Sequence, residues 1–226
     1  MGIDLGTWID IGRAVIWVVW TVIRAPRRAR DILTDCRRFG IKKAMQRREL
    51  STRVPLIDFI DAADSEVLFV GIDFGSLVQF DEIIREKAQR YGIRVLMPDP
   101  RDEPLMRVIR AFFKRDVDVY GKFVTALRTF KALHNSVDSA RFRVGLHHVV
   151  PSYSAVFVDD HAATIEFYSY GQPMEQRLAI ELRDGELLRE YRASCYDLFE
   201  ASEKLTSDAQ YAEAIEAARK LSEGPS

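Results

Sequence analysis

Two short apolar runs with a helix-length segment between them constrain this chain most. Glu66–Ile72 (EVLFVGI) is a compact apolar run of strand length, and Ile93–Met97 (IRVLM) is a second strand candidate, apolar except for Arg94 and stopped by Pro98-Asp99-Pro100. A run that is apolar at nearly every position fits a strand buried on both faces, as in the middle of a parallel sheet. Leu77–Tyr91 has helical spacing, and Gly92 stands where a glycine C-cap would end that helix. The whole unit is about 30 residues long, the size of a right-handed crossover between parallel strands.

The rest of the chain is read around this unit. Pro55–Ala63, Leu105–Phe113 and Val119–Leu133 have helical patterns. Four strand candidates follow, Arg141–His147, Ser152–Val158, Thr164–Ser169 and Arg177–Leu182, with Asp159-Asp160-His161 as a tight turn between the middle two. Helices over Gly185–Lys204 and Asp208–Leu221 close the chain. The expected fold is α/β, a mixed sheet covered by helices on both faces and preceded by an N-terminal helical arm. At 226 residues the chain holds one full-sized domain and an appendage. The expected division is an arm over 1–53, the α/β domain over 54–204, and a C-terminal helix with a polar tail over 205–226.

The formal charge of −1 conceals an asymmetry: residues 1–53 hold 12 Lys/Arg against 5 Asp/Glu, and the remainder is acidic. A basic arm on an acidic body points to an anionic partner, whether lipid, nucleic acid or the chain's own acidic domain. All three tryptophans, Trp8, Trp17 and Trp20, lie in that arm, followed by Arg24, Arg27 and Arg28. Ala14–Ile23 covers about 15 Å at 1.5 Å per residue, about half a hydrocarbon core. An interfacial helix therefore fits better than a spanning one, with the tryptophans and arginines at headgroup depth. Packing of the arm on the domain or on a twin copy remains an equal alternative. Few aromatics interleave with the later arginines, so nucleic acid is the weaker partner. Cys36 and Cys195 form no Cys-x-x-Cys pair, and arginines follow the apolar stretch where a signal peptide would have a cleavage site. The expected location is cytoplasmic, peripheral on the inner face of the membrane.

The run VLFVGIDFG, a helix and then YGIRVLMPDP resemble the opening of the phospholipase D superfamily fold. LHHVVPSYSAVFVDDHAATIEFYSYG resembles the stretch that carries that family's His-x-Lys-x-x-x-x-Asp signature. The likeness covers roughly residues 54–199. A branch of the superfamily found behind helix-turn-helix domains in actinobacterial regulators is similar at His148, Ser154, Asp159-Asp160 and Tyr170-Gly171; here the tryptophan-rich arm replaces the helix-turn-helix. In the family one imidazole attacks phosphorus, a second protonates the leaving oxygen, and lysines hold the phosphoryl oxygens. With Asp159 on the signature's aspartate, Ser152 falls on its histidine and Ser154 on its lysine. Glu166 and Phe167 stand where the downstream Gly-Ser-x-Asn element would be.

The resemblance thus implies a non-catalytic ligand-binding or interaction module. Its ligand would be a phosphorylated small molecule or a lipid headgroup, and half a two-halved cleft implies a homodimer. Two alternatives stay open: a divergent phosphodiesterase or nuclease with His148 as nucleophile, and a membrane-acting signalling or defence effector. The candidate ligand-binding residues are Ser152, Ser154, Asp159, Tyr168 and Tyr170, with Arg143 as a substitute cation. Ser152 and Ser154 share a strand face and could form a hydroxyl-rich pocket with the two tyrosines, or simply pair across the strands. His147 and His148 should point to opposite faces. No cofactor is expected, and the spacing of His148, Asp159, Asp160 and His161 does not demand a metal.

Overall fold

The structure is a computed structural model that describes residues 36, 38–49, 56–72, 74–79, 81–113, 117–168 and 176–223. Its strands are β1 (Ile41–Gln46), β2 (Glu66–Val70), β3 (Gly92–Pro98), β4 (Phe142–His147), β5 (Tyr153–Val158), β6 (Ala162–Phe167), β7 (Leu178–Arg183) and β8 (Glu203–Leu205). They form one sheet in the order β1-β7-β6-β5-β2-β3-β4-β8. β2, β3 and β4 run parallel, and every other neighbouring pair is antiparallel. The helices are α1 (Leu56–Asp61), α2 (Gly75–Gln79), α3 (Asp81–Ala88), α4 (Glu103–Arg110), α5 (Val119–Ser136), α6 (Glu186–Ala201) and α7 (Asp208–Glu223).

The mixed α/β architecture is the expected one. The apolar runs of β2 and β3 lie side by side in the sheet, buried on both faces. One face packs Val67, Phe69, Val95, Phe142 and Val144 against Phe123, Phe130 and Leu133 of α5 and Tyr211 of α7. The other packs Leu68, Leu96, Phe157, Ile165 and Leu182 under Leu188, Cys195 and Phe199 of α6. Aspartates start two of the helices: Asp102 accepts from the Leu105 N–H at 3.0 Å, and Asp118 accepts from the Gly121 N–H at 2.8 Å.

Three local expectations are corrected. Part of the basic segment assigned to a helical arm is the edge strand β1, which pairs with β7 and whose lysines reach Glu181. Over 77–91 the described helical residues are those of α2 and α3. Gly92 is no helix cap: the chain is helical only to Ala88, and Gly92 opens β3 beside Glu66. The helix expected to run to Lys204 stops at Ala201 because the Ser202 hydroxyl donates to the Phe199 carbonyl at 2.7 Å. Lys204 Nζ then donates to the Glu200 and Ser202 carbonyls, and the freed residues become β8.

Candidate functional site

β2, β3 and β4 all end at one edge of the sheet, and β5, antiparallel to β2, begins there. Gly71, just past β2, lies against Ser154: a Cβ on Gly71 would sit 2.9 Å from the Ser154 Cβ and 3.3 Å from Tyr168 Oη. A side chain at residue 71 would close this approach. The Tyr168 phenol oxygen accepts from the Ile72 N–H at 3.0 Å and is hydrogen-bonded to Ser154. Burial pushes its pKa upward, so the phenol stays neutral.

Ser154 lies opposite Glu166 on β6, and Tyr168 follows two residues later on the same side. Glu166 is 2.7 Å from Arg47 Nε and 3.7 Å from Arg177 Nη1. The Arg177 side chain is 2% exposed. Its Nη2 donates to the Phe112 carbonyl at 3.1 Å, and its guanidinium lies over the rings of Tyr168 (5.1 Å) and Phe113 (5.3 Å). Its Nε is buried with no hydrogen-bond partner among the described residues. This corner therefore gathers two hydroxyls, a carboxylate and two guanidiniums, one of the latter with an unused donor.

The structure thus brings Ser154 and Tyr168 together. Ser152 is exposed, and its carbonyl accepts from the Tyr168 N–H at 2.9 Å. Tyr170 lies outside the described residues, as do Trp8, Trp17, Trp20, Arg24, Arg27 and Arg28. The sequence reading missed Arg177, Arg47 and the pairing role of Glu166. The turn at 159–161 held the signal: counting back from the pair Val158–Ala162 puts Glu166 opposite Ser154.

Asp159 is elsewhere. It lies beyond the far end of β5, about 17 Å from Ser154 at roughly 3.3 Å per residue. Its carboxylate accepts from the N–H groups of Asp64 (2.9 Å), Ser65 (2.8 Å) and Glu66 (2.8 Å) and from the Ser65 hydroxyl (2.6 Å). Burial alone would raise its pKa, but these donors hold it below the ordinary carboxylate value. With φ of 49° it also forms the bend of the β5–β6 turn. Asp160 is exposed, His161 Nδ1 is 4.0 Å from both aspartates, and no group among the described residues could hold a metal.

The two histidines do point apart. His147 is 3% exposed. Burial lowers its pKa to about 4. Its Nδ1 accepts from the Val149 N–H at 3.2 Å, so the ring proton sits on Nε2, a buried donor with no partner. The His148 side chain is 64% exposed, with Nδ1 3.0 Å from Asp102 and Nε2 3.8 Å from Asp99. Asp99 is in turn held by Arg101, which also reaches Glu203 at 2.7 Å. Carboxylates crowd this imidazole, and a phosphodiester anion would be repelled there. Three strand spacings of about 4.8 Å separate it from Ser154, roughly 14 Å. Arg143 lies on the opposite face of the sheet, its guanidinium 5.6 Å from the Phe199 ring.

No family model matches the chain, and neither does any curated protein. Solved structures are similar to it. One is TrmBL2, an archaeal chromatin protein described as showing a novel mode of DNA binding (10% identity, TM-score 0.49, 87% of this chain and 67% of that one). Another is Nuc, a phospholipase D family member from Salmonella typhimurium (11% identity, TM-score 0.47, 73% of this chain and 97% of that one). A third is phosphatidylserine synthase from Haemophilus influenzae Rd KW20 (14% identity, TM-score 0.48, 74% of this chain but 41% of that one).

Proposed function

We propose that this domain is a non-catalytic binding module that takes a phosphate-bearing small molecule or lipid headgroup at the Ser154–Tyr168–Arg177 corner. The buried Arg177 guanidinium, with its unpartnered Nε beside two hydroxyls, carries the reading. An unsatisfied charged donor in low dielectric is costly unless an acceptor reaches it, and a phosphoryl oxygen is the acceptor that guanidinium geometry suits best. Ser154 and Tyr168 are mostly buried but keep part of their surface exposed. Phosphoryl transfer lacks support here: no imidazole lies beside Ser154, His147 is buried and neutral, and His148 is tied among carboxylates at a distance.

The test is calorimetric titration of the full chain with inorganic phosphate and with a soluble phospholipid headgroup analogue, beside an assay on a generic phosphodiester. We expect saturable binding that Arg177→Gln weakens about tenfold or more, the loss of one charge-assisted contact, with phosphodiester turnover at background. Turnover that disappears in His148→Ala would overturn the non-catalytic reading.

For the tryptophan-rich segment we propose attachment of the domain to an anionic membrane surface on the cytoplasmic side. The clustering of Trp8, Trp17 and Trp20 with Arg24, Arg27 and Arg28 supports this. Co-sedimentation with phosphatidylserine-containing vesicles should fall in a Trp17→Ala/Trp20→Ala variant. Unchanged partitioning, with concentration-dependent self-association instead, would assign the segment to a twin copy.

A further inference from the structure

A second cluster of cations lies on the face of the sheet that α6 covers, opposite the corner just described. Arg94 on β3 and Arg143 on β4 are partners in register, so two guanidiniums leave the sheet side by side. Phe199 of α6 sits between them, 5.6 Å from each, and Lys204 Nζ lies 4.5 Å from the same ring. Arg192, from the middle of α6, joins at the Tyr196 ring, which it approaches to 4.3 Å while Arg94 approaches to 4.9 Å.

The carboxylates present do not balance this group. Glu66 is 2.8 Å from Arg94 and 3.6 Å from Arg192. Glu200 acts on Arg94 and Lys204 electrostatically, without an ion pair to either. The Asp159 carboxylate is taken up by the start of β2, and only its carbonyl oxygen serves Arg192, at 2.8 Å. Arg143 forms neither an ion pair nor a hydrogen bond with the described residues, feeling Glu66 only electrostatically, and Arg94 Nε is buried without a hydrogen-bond partner among them. Like charges in register repel, and more strongly where helix and sheet exclude water. Aromatic faces soften the repulsion but accept no hydrogen bond from these donors as an oxyanion would.

We propose that Arg94, Arg143 and Arg192 form a second anion site that takes a phosphate group, with Arg143 as its open fork and the Tyr196 and Phe199 rings as its floor. The site is independent of the Arg177 corner, since the sheet lies between them. The test follows arginine Nε–Hε resonances of the full chain by NMR during titration with inorganic phosphate at constant ionic strength. Saturable shifts of the Arg94 and Arg143 signals are expected. Arg143→Gln should weaken that binding about tenfold or more, and Arg143→Lys less, because it keeps the charge but loses the fork. Arg177→Gln should leave it unchanged. Shifts that fail to saturate, that chloride reproduces, or that persist undiminished in a folded Arg143→Gln protein would overturn the proposal.

Discussion

Along a single face of the sheet, the parallel and antiparallel halves meet burial with opposite chemistry. Over β2, β3 and β4 the face is aromatic and aliphatic, with Phe130 edge-on to Phe74 at 5.5 Å and beside Phe142 at 6.0 Å. On β6 and β7 the same face carries Glu166, Glu181 and Arg183, joined by Lys42, Lys43 and Arg47 from β1 and its end. Each half also has a buried ionisable strand residue. His147 on β4 forms no ion pair with the described residues, and burial leaves it uncharged at neutral pH. Glu181 on β7 is 1% exposed, yet Lys42 at 2.9 Å, Arg183 at 3.2 Å and Lys43 at 3.8 Å keep it ionised. Burial sets the cost of a charge, and the neighbouring strand decides whether the charge survives.

The largest test of this contrast is Phe130→Ala, which should cost about 3–5 kcal/mol because its place between Phe74 and Phe142 cannot close fully. Urea denaturation measures it, and a loss under about 1 kcal/mol would mean the parallel half does not rest on aromatic packing. Next comes the pH dependence of stability. An unfolded His147 takes up a proton near pH 6.5, but the folded one does so only near pH 4. Stability contributed by the neutral ring is therefore complete above about pH 6.5 and lost as pH falls toward 4, on the order of 3 kcal/mol at roughly 1.4 kcal/mol per unit. His147→Leu should flatten that window, and an equal slope in both proteins would remove the histidine from the account. Smallest is Glu181→Gln, at about 1–3 kcal/mol at neutral pH. Burial would raise the Glu181 pKa, but Lys42 and Arg183 outweigh it and hold the value low. Its contribution is present above the ordinary carboxylate range and disappears as pH falls through the lowered value, below most of the histidine window. Denaturation at neutral and strongly acidic pH separates the two, and an unchanged difference in the variant would show that the ion pairs add nothing.

Legibility in the sequence followed the physics. The β2–α–β3 unit was readable because strands buried on both faces leave a run that is apolar at most positions. β1 was not, because IKKAMQ is an edge strand whose polar residues are satisfied from across the sheet; a basic stretch looks the same whether it faces lipid or Glu181. Ser154 and Tyr168 could be placed on one face by strand alternation, but Arg177 could not be assigned to them. Its neighbours Phe112 and Phe113 come from the chain after α4, a contact no local pattern encodes. The separation of Asp159 from Ser154 was also implicit in their spacing along one strand, and the family pattern hid it.

β1 gives Glu181 the cations Lys42 and Lys43, and Arg47 just past it pairs with Glu166, although this stretch belongs to the segment that precedes the domain in sequence. A version trimmed to begin at residue 54 would shed these counterions together with the tryptophans. Both carboxylates would then keep fewer cations, and β7 would become a raw sheet edge. Work that separates the tryptophan-rich segment from the body must therefore cut ahead of Ile41, or it will mistake a stripped sheet for a lost attachment.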